Sequence, residues 1–282
     1  MDIKYFLRRI FPSEDRVKIK RIKRKISSLS KFYKKKTTID ELEYCLREKI
    51  RIKKGDSIMV VSSFANLNAT YSPSDVVSLL KEIIGEDGLI MMPFYPNGYM
   101  YELYRKSFIF DVKQTKSAMG VLTNTFAQSN GVIKSLHPLK SVCVWGKDAQ
   151  AIVQDHEKSI LPFGNDTPYG RLLNRNSKSI GLGVKNLPMF HAVEDRLYEK
   201  YHPQYLHDEY SMQIRKTDNS IIKCTTMIHN PAFHYNAPIG DYVAAMNLES
   251  YIRVPFGYSF LYSVNNSEIL ETFNKMVDEK EV

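Results

Sequence analysis

His191 and Glu194, in the string Phe190-His191-Ala192-Val193-Glu194, stand three residues apart. On a helical turn that spacing puts both side chains on one face. A carboxylate beside an imidazole orients the ring, fixes its tautomer and raises its basicity, as a general base near neutral pH requires. The same spacing is common in solvent-facing ion pairs, so the pair takes its meaning from its surroundings. Ser179-Ile180-Gly181-Leu182-Gly183-Val184 reads as a buried strand running into a glycine turn, which carries His191 to the end of that strand.

Other elements are needed to meet it there. The sequence predicts a helix over Ile39 to Ile50 starting near Thr38, then a turn at Lys53-Lys54-Gly55-Asp56. Ser57 to Val61 reads as a short buried strand ending at Ser62-Ser63. Ser72-Pro73-Ser74-Asp75 suits a helix start, Val76, Val77, Leu80, Ile83 and Ile84 form the apolar face, and Gly85 is a natural stop. Leu89 to Met92 is the next strand, closed by Pro93. Strand, helix, strand in this order indicates an α/β body with parallel pairing. Thr115 to Gln128 is predicted as a helix, Ser141 to Trp145 as a strand, Lys147 to Asp155 as a helix, and Gly170 to Leu173 as a resumed helix after a Pro/Gly-rich loop from Ile160 to Tyr169. Beyond His202 the periodicity weakens; runs such as Ser220 to Thr226 point to a small antiparallel lobe or lid.

Composition bounds the setting. The chain has 282 residues, 43% hydrophobic and 25% charged, enough for one large core with a small appendage. No apolar run approaches the roughly 18–20 residues that a bilayer-spanning helix needs, and the first residues show no secretory pattern. Cys45, Cys143 and Cys224 form no CxxC pair, which argues against a disulfide framework or a zinc site and fits a reducing cytoplasm. The net charge of +9 is unevenly divided. Residues 1–36 hold 14 Lys/Arg and 3 Asp/Glu, a balance of +11, and the other 246 hold 26 against 28, a balance of −2. Residues 1–37 therefore read as a basic leader and 38–282 as the body of the protein. Ile3, Phe6, Leu7, Ile10 and Phe11, then Ile19, Ile22 and Ile26, repeat at helical spacing among the charges. Three readings of the leader stand: peripheral contact with an anionic membrane surface on its inner face, packing on protein including a homodimer partner, and nucleic acid, for which no recognised motif is present.

The pieces also occur in a recognisable order. Ser62-Ser63 ends a strand, and Ser117-Ala118-Met119-Gly120 opens the next helical segment. Ser135-Leu136-His137-Pro138-Leu139-Lys140-Ser141 precedes a strand, Thr167-Pro168-Tyr169 begins a helix, and His191-x-x-Glu194 follows the last strand. Over about residues 38–200 this resembles the antibiotic acetyltransferase family, best known for the aminoglycoside 3-N-acetyltransferases. The Ser-x-His-Pro-x-x-Ser and His-x-x-Glu segments are the most specific parts.

The resemblance implies a three-layer α/β/α sandwich around a largely parallel or mixed sheet, with a small C-terminal excursion. It implies direct acyl transfer, with acetyl-CoA as co-substrate and no metal. His191 matches the family's base and Glu194 its orienting carboxylate. Ser62, Ser63 and Phe64 match the loop that meets the thioester end, and Ser117, Met119, Gly120, Ser135, His137 and Ser141 match segments lining the cofactor tunnel. Departures fall at Val61, Ala118, Lys134 and Pro188, where the family often has histidine, arginine, arginine and threonine. With no hydroxyl at Pro188, the Ser62-Ser63 turn is the candidate oxyanion donor.

The acceptor follows as an amino sugar. The basic leader favours a nucleotide- or lipid-linked sugar of a cell-surface polysaccharide; the alternatives are an aminoglycoside antibiotic, and a non-catalytic module docked to a membrane or partner. His202, His207 and Asp208 could group around a metal, His229 and His234 could face the acceptor, and Tyr95, Tyr99, Tyr101 and Tyr104 could form a sugar-binding wall.

Overall fold

The computed structural model describes residues 34–98, 100–196, 205–229 and 247–278. The chain divides into two units, residues 1–36 and 37–282. The expected helices of the leader lie outside the described residues, as do His202, His234 and Tyr99 and the side chains of His207, Asp208 and His229.

The main sheet has seven strands in the order β4-β5-β2-β1-β6-β10-β9. These are β1 (Ser57–Ser62), β2 (Leu89–Pro93), β4 (Ile133–Lys134), β5 (Val142–Gly146), β6 (Ser177–Leu182), β9 (Ile252–Phe256) and β10 (Ser259–Asn265). β1 pairs in parallel with β2 on one side and β6 on the other, whereas β5 and β10 add antiparallel to that central trio. Strands covered on both faces read as continuous apolar runs. Along β1, Ile58 and Val60 enter one buried cluster and Met59 and Val61 the other. Helices complete both layers. α1 (Ile39–Tyr44), α2 (Phe64–Leu67), α3 (Pro73–Ile84) and α5 (Val121–Gln128) supply the first cluster; α6 (Ala149–Val153), α7 (Pro168–Leu173), α8 (Met189–Arg196) and α9 (Asn266–Asp278) supply the second.

Local sequence explains the helix starts. Thr38 and Glu41 exchange side-chain and backbone bonds in a capping box at α1, and Ser72 and Asp75 do the same at α3 behind Pro73. The five predicted apolar residues of α3 are all buried. Two expectations fail. The helix predicted from Thr115 begins only at Val121, because Asn124 folds the preceding residues into a loop: its Oδ1 accepts the Ser117 amide and its Nδ2 donates to the carbonyls of Ser117 and Gly120. The C-terminal region is also richer than expected, since β9, β10 and α9 return to the main sheet. The expected small lobe is a second sheet of β3 (Ile109–Asp111), β7 (Tyr205–Arg215) and β8 (Ile221–His229), with β7 and β8 antiparallel.

The parallel trio fixes where chemistry can occur. In open α/β sheets, ligands sit beyond the carboxyl ends of the strands. Here those ends deliver Phe94 and Tyr95 from β2, Ser62 and Ser63 from β1, and Gly183 and Val184 from β6.

Candidate active site

The turn after β6 is set by Gly183, whose φ of +75° suits glycine; a Cβ there would lie 2.9 Å from the Ser63 carbonyl oxygen. The chain then enters α8, with the His191 amide donating to the Pro188 carbonyl. One turn into the helix, His191 Nδ1 lies 2.8 Å from Glu194 Oε2, and both side chains are largely covered, 13% and 12% exposed. A solvent-facing pair would not be sheltered in this way. A carboxylate on Nδ1 fixes the proton there and leaves Nε2 as the basic nitrogen. The ring packs on Phe163, centroids 5.0 Å apart. Phe163 is held in turn by Asp195, buried on α8, whose carboxylate accepts the Phe163 amide at 3.1 Å.

Ser62, Ser63 and Phe64 are half-buried at the end of β1. The Ser63 amide is spent on the Leu182 carbonyl, at 2.8 Å, which removes it from the expected oxyanion donors. Opposite them lies the Ser117–Gly120 loop, fixed by the Ala118 amide on the Tyr95 carbonyl and by the Met119 amide on Ser117 Oγ. Gly120 has φ +103°, and a Cβ there would point to the Ser62 carbonyl oxygen at 3.9 Å. Met119 is half-buried, Ala118 and Gly120 are exposed, and Ser117 is turned inward.

Ser135, His137 and Ser141 are placed differently. All three are sealed from solvent and bonded within the fold. The amides of Leu139 and Lys140 both donate to His137 Nδ1, so its proton sits on Nε2, which donates to Thr226 on β8 at 3.2 Å. His156, absent from the sequence reading, stacks on His137 with centroids 4.6 Å apart. It donates from Nε2 to the Pro162 carbonyl and accepts the Ser135 hydroxyl on Nδ1 at 2.8 Å. Burial lowers the pKa of both imidazoles, His156 to about 3. Two neutral histidines thus lock the Ser135–Ser141 turn against the Ile160–Tyr169 loop. Side chains with no exposed surface do not touch a ligand, so this group supports the wall from behind.

The tyrosines divide. Tyr95 accepts the hydroxyl of buried Tyr169 at 2.9 Å and lines a cleft of ≈ 420 Å³ with Met119, Leu139 and Lys140. Tyr101 and Tyr104 instead cluster with Tyr210 of β7, at 6.0 and 4.6 Å, on the partly exposed side of α4 (Met100–Arg105). Among the described residues, no group of three His, Cys, Asp or Glu side chains is placed to hold a metal ion, and no helix is long and apolar enough to cross a membrane.

Known proteins share this chain's family and fold. The sequence model of the family described as aminoglycoside 3-N-acetyltransferase matches residues 59–278. The SPbeta prophage-derived aminoglycoside N(3')-acetyltransferase-like protein YokD of Bacillus subtilis (strain 168) is 25% identical, over 58% of this chain and 69% of that protein. Its crystal structure superposes with a TM-score of 0.67 at 19% identity, covering 83% of this chain and 92% of YokD. The aminoglycoside acetyltransferase AAC(3)-Xa gives a TM-score of 0.71 at 17% identity, over 86% and 93% of the two chains. AAC-IIIb, solved as a binary complex with CoASH, gives 0.69 at 17% identity, over 87% and 98%.

Proposed function

The chain belongs to the aminoglycoside 3-N-acetyltransferase family, and from that premise we propose that it acetylates an amine of an amino sugar, with aminoglycosides the acceptor class that the family match supports best. It is an acyl-CoA-dependent N-acyltransferase with acetyl-CoA as co-substrate. The preference for a nucleotide- or lipid-linked sugar of a cell-surface polysaccharide gains nothing from the comparisons.

The observation that carries the reading is the sheltered His191–Glu194 pair at the end of β6. An amine attacks a thioester only as the free base, so a proton must leave it before or during attack. His191 Nε2 is the acceptor for that proton, and Glu194 holds the ring and balances the imidazolium that forms; such a base is worth about a hundred- to ten-thousandfold. Acetyl-CoA supplies the activated acyl group. The half-buried Ser62–Phe64 turn and the Met119–Gly120 segment form facing walls that fit its slender thioester arm, with Gly120 leaving the space beside Ser62 open. Ser117, Ser135, His137 and Ser141 hold those walls in place. The leader's basic residues are proposed to meet an anionic membrane surface, and dimerisation stays a separate proposal.

The test is a coenzyme A release assay with gentamicin and simple amino sugars, on the wild type and on His191→Ala. Amine-dependent release that collapses in the variant, with unchanged circular dichroism, is expected. Release that persists in His191→Ala would remove the base from the mechanism.

A further inference from the structure

Lys140 is a charge that the acyl-transfer chemistry leaves unused. It closes the His137–Lys140 turn, and the residue is 9% exposed. The ammonium lies over two ring faces, 4.2 Å from the Tyr95 centroid and 5.4 Å from that of Phe163. Among the described residues, no hydrogen bond or ion pair ends on Nζ. The carboxylate that acts on it electrostatically is Asp195, which already accepts the Phe163 amide. Burial brings the pKa down to about 8, with Asp195 opposing that fall.

A buried ammonium without a paired counter-ion is rare and costly, and ring quadrupoles recover only part of its lost hydration. Its remaining opening is the ≈ 420 Å³ cleft, whose other walls include Tyr95, Met119 and Leu139. That volume falls within the range of small-molecule sites. Such a cleft is completed by a ligand that brings its own negative charge. Phe163 is shared: Lys140 lies over its ring and His191 packs on the same ring. The ammonium and the proposed base thus contact one and the same aromatic ring. The phosphates of coenzyme A are separated from its thioester by the whole pantetheine arm, so they do not suit this position.

We propose that Lys140 is a specificity-determining residue that binds a carboxylate or phosphate carried by the acceptor sugar, while the sugar's amine faces His191. This rests on the acyl-transfer reading but departs from its acceptor: an amino sugar with an acidic group near the amine is favoured over a polycationic aminoglycoside.

The experiment compares glucosamine, glucosamine 6-phosphate and 2-amino-2-deoxyglucuronate as acceptors for the full chain, and measures the KM for acetyl-CoA in parallel. A charge-assisted bond to a buried ammonium predicts that kcat/KM favours the acidic sugars by about ten- to hundredfold. Lys140→Met is expected to collapse that ratio to near one through the KM of the acidic sugars, and Lys140→Arg to restore part of it. Equal turnover of neutral and acidic sugars by the wild type overturns the proposal, as does a Lys140→Met effect confined to the KM for acetyl-CoA or spread evenly over all acceptors. Calorimetric binding of glucosamine 6-phosphate to His191→Ala separates the two readings. Binding there that disappears on adding Lys140→Gln supports the subsite even if no amine is turned over; absence of binding to both proteins counts against it.

Discussion

The imidazole of His191 is held by Glu194 at Nδ1 and by the face of Phe163, and Phe163 is held in turn by Asp195. Glu194→Gln keeps an oxygen acceptor but removes the charge opposite the imidazolium. We expect kcat to fall roughly ten- to hundredfold, less than in His191→Ala, because the base itself remains. Initial rates of coenzyme A release check this, and an unchanged kcat would show Glu194 to be a bystander. Asp195→Ala tests the support behind Phe163. It leaves the buried Phe163 amide without an acceptor, which costs about 1–3 kcal/mol, so a lower urea midpoint is expected together with a lower kcat. Full activity in a destabilised protein would mean that Phe163 does not position the ring. Of these residues His191 and Glu194 are legible in the sequence, because three-residue spacing after a strand has a helical meaning. Phe163, His156 and Lys140 are not. Each reaches the site from a loop or turn, where no period links a position to a direction, and Lys140 occupies a variable slot of a motif read for its histidine and serines. Asp195 hides behind Glu194, since adjacent acids on a helix point to different faces.

Between elements, the wall behind the site is a set of bonds joining the Ser135–Ser141 turn, the short helix at His156–Lys158, the Pro162 loop and β8. It works only with both imidazoles neutral, and its contribution depends on pH. The folded pKa values lie below the ordinary value of 6.5, so the unfolded chain binds more protons in between. Stability from these groups is complete above about pH 6.5 and is lost as pH falls below it, for His156 toward about 3, at roughly 1.4 kcal/mol per pH unit for each proton taken up. Urea midpoints from pH 7.5 to pH 5 should drop accordingly, and a flat profile would contradict the neutral pair. The main sheet offers a second test. A Cβ on Gly181 would fall 1.9 Å from the buried Tyr262 ring on β10. Gly181→Ala should therefore destabilise by about 1–3 kcal/mol as the ring is displaced. The strands β1, β2, β5 and β6 are readable as apolar runs because both faces are covered. β9 is not, since Pro255 and Arg253 interrupt it; as the last strand in the order it is an edge, where proline is tolerated. The apolar stripe of Ile269, Leu270 and Phe273 on α9 goes unread in the sequence, since the layer it covers depends on that unreadable strand pair. The false start at Thr115 has a similar cause: helical propensity gives way to Asn124, whose amide captures the preceding turn.

At the scale of the whole molecule the charge is segregated, +11 in residues 1–36 and −2 in the remainder. A nearly neutral body projects little field of its own, so acceptor choice is left to local groups such as Lys140. Attraction to an extended anionic surface, by contrast, falls almost wholly to the leader. Each Lys or Arg near such a surface contributes about 1 kcal/mol, and that attraction is screened as the Debye length shrinks from about 8 Å at 0.15 M salt toward 3 Å at 1 M. Sedimentation with vesicles containing about 30 mol% phosphatidylserine should therefore capture the full chain at low salt and release it progressively as salt rises. Vesicles of phosphatidylcholine alone should capture little, and a chain beginning at Thr37 should lose binding to both. Equal capture by neutral vesicles would point to the leader's apolar residues rather than its charge. Unaltered capture without residues 1–36 would move the lipid contact to the body, where a net charge of −2 gives no electrostatic reason for it. Salt dependence separates these cases, because apolar insertion strengthens slightly with added salt whereas ion attraction weakens.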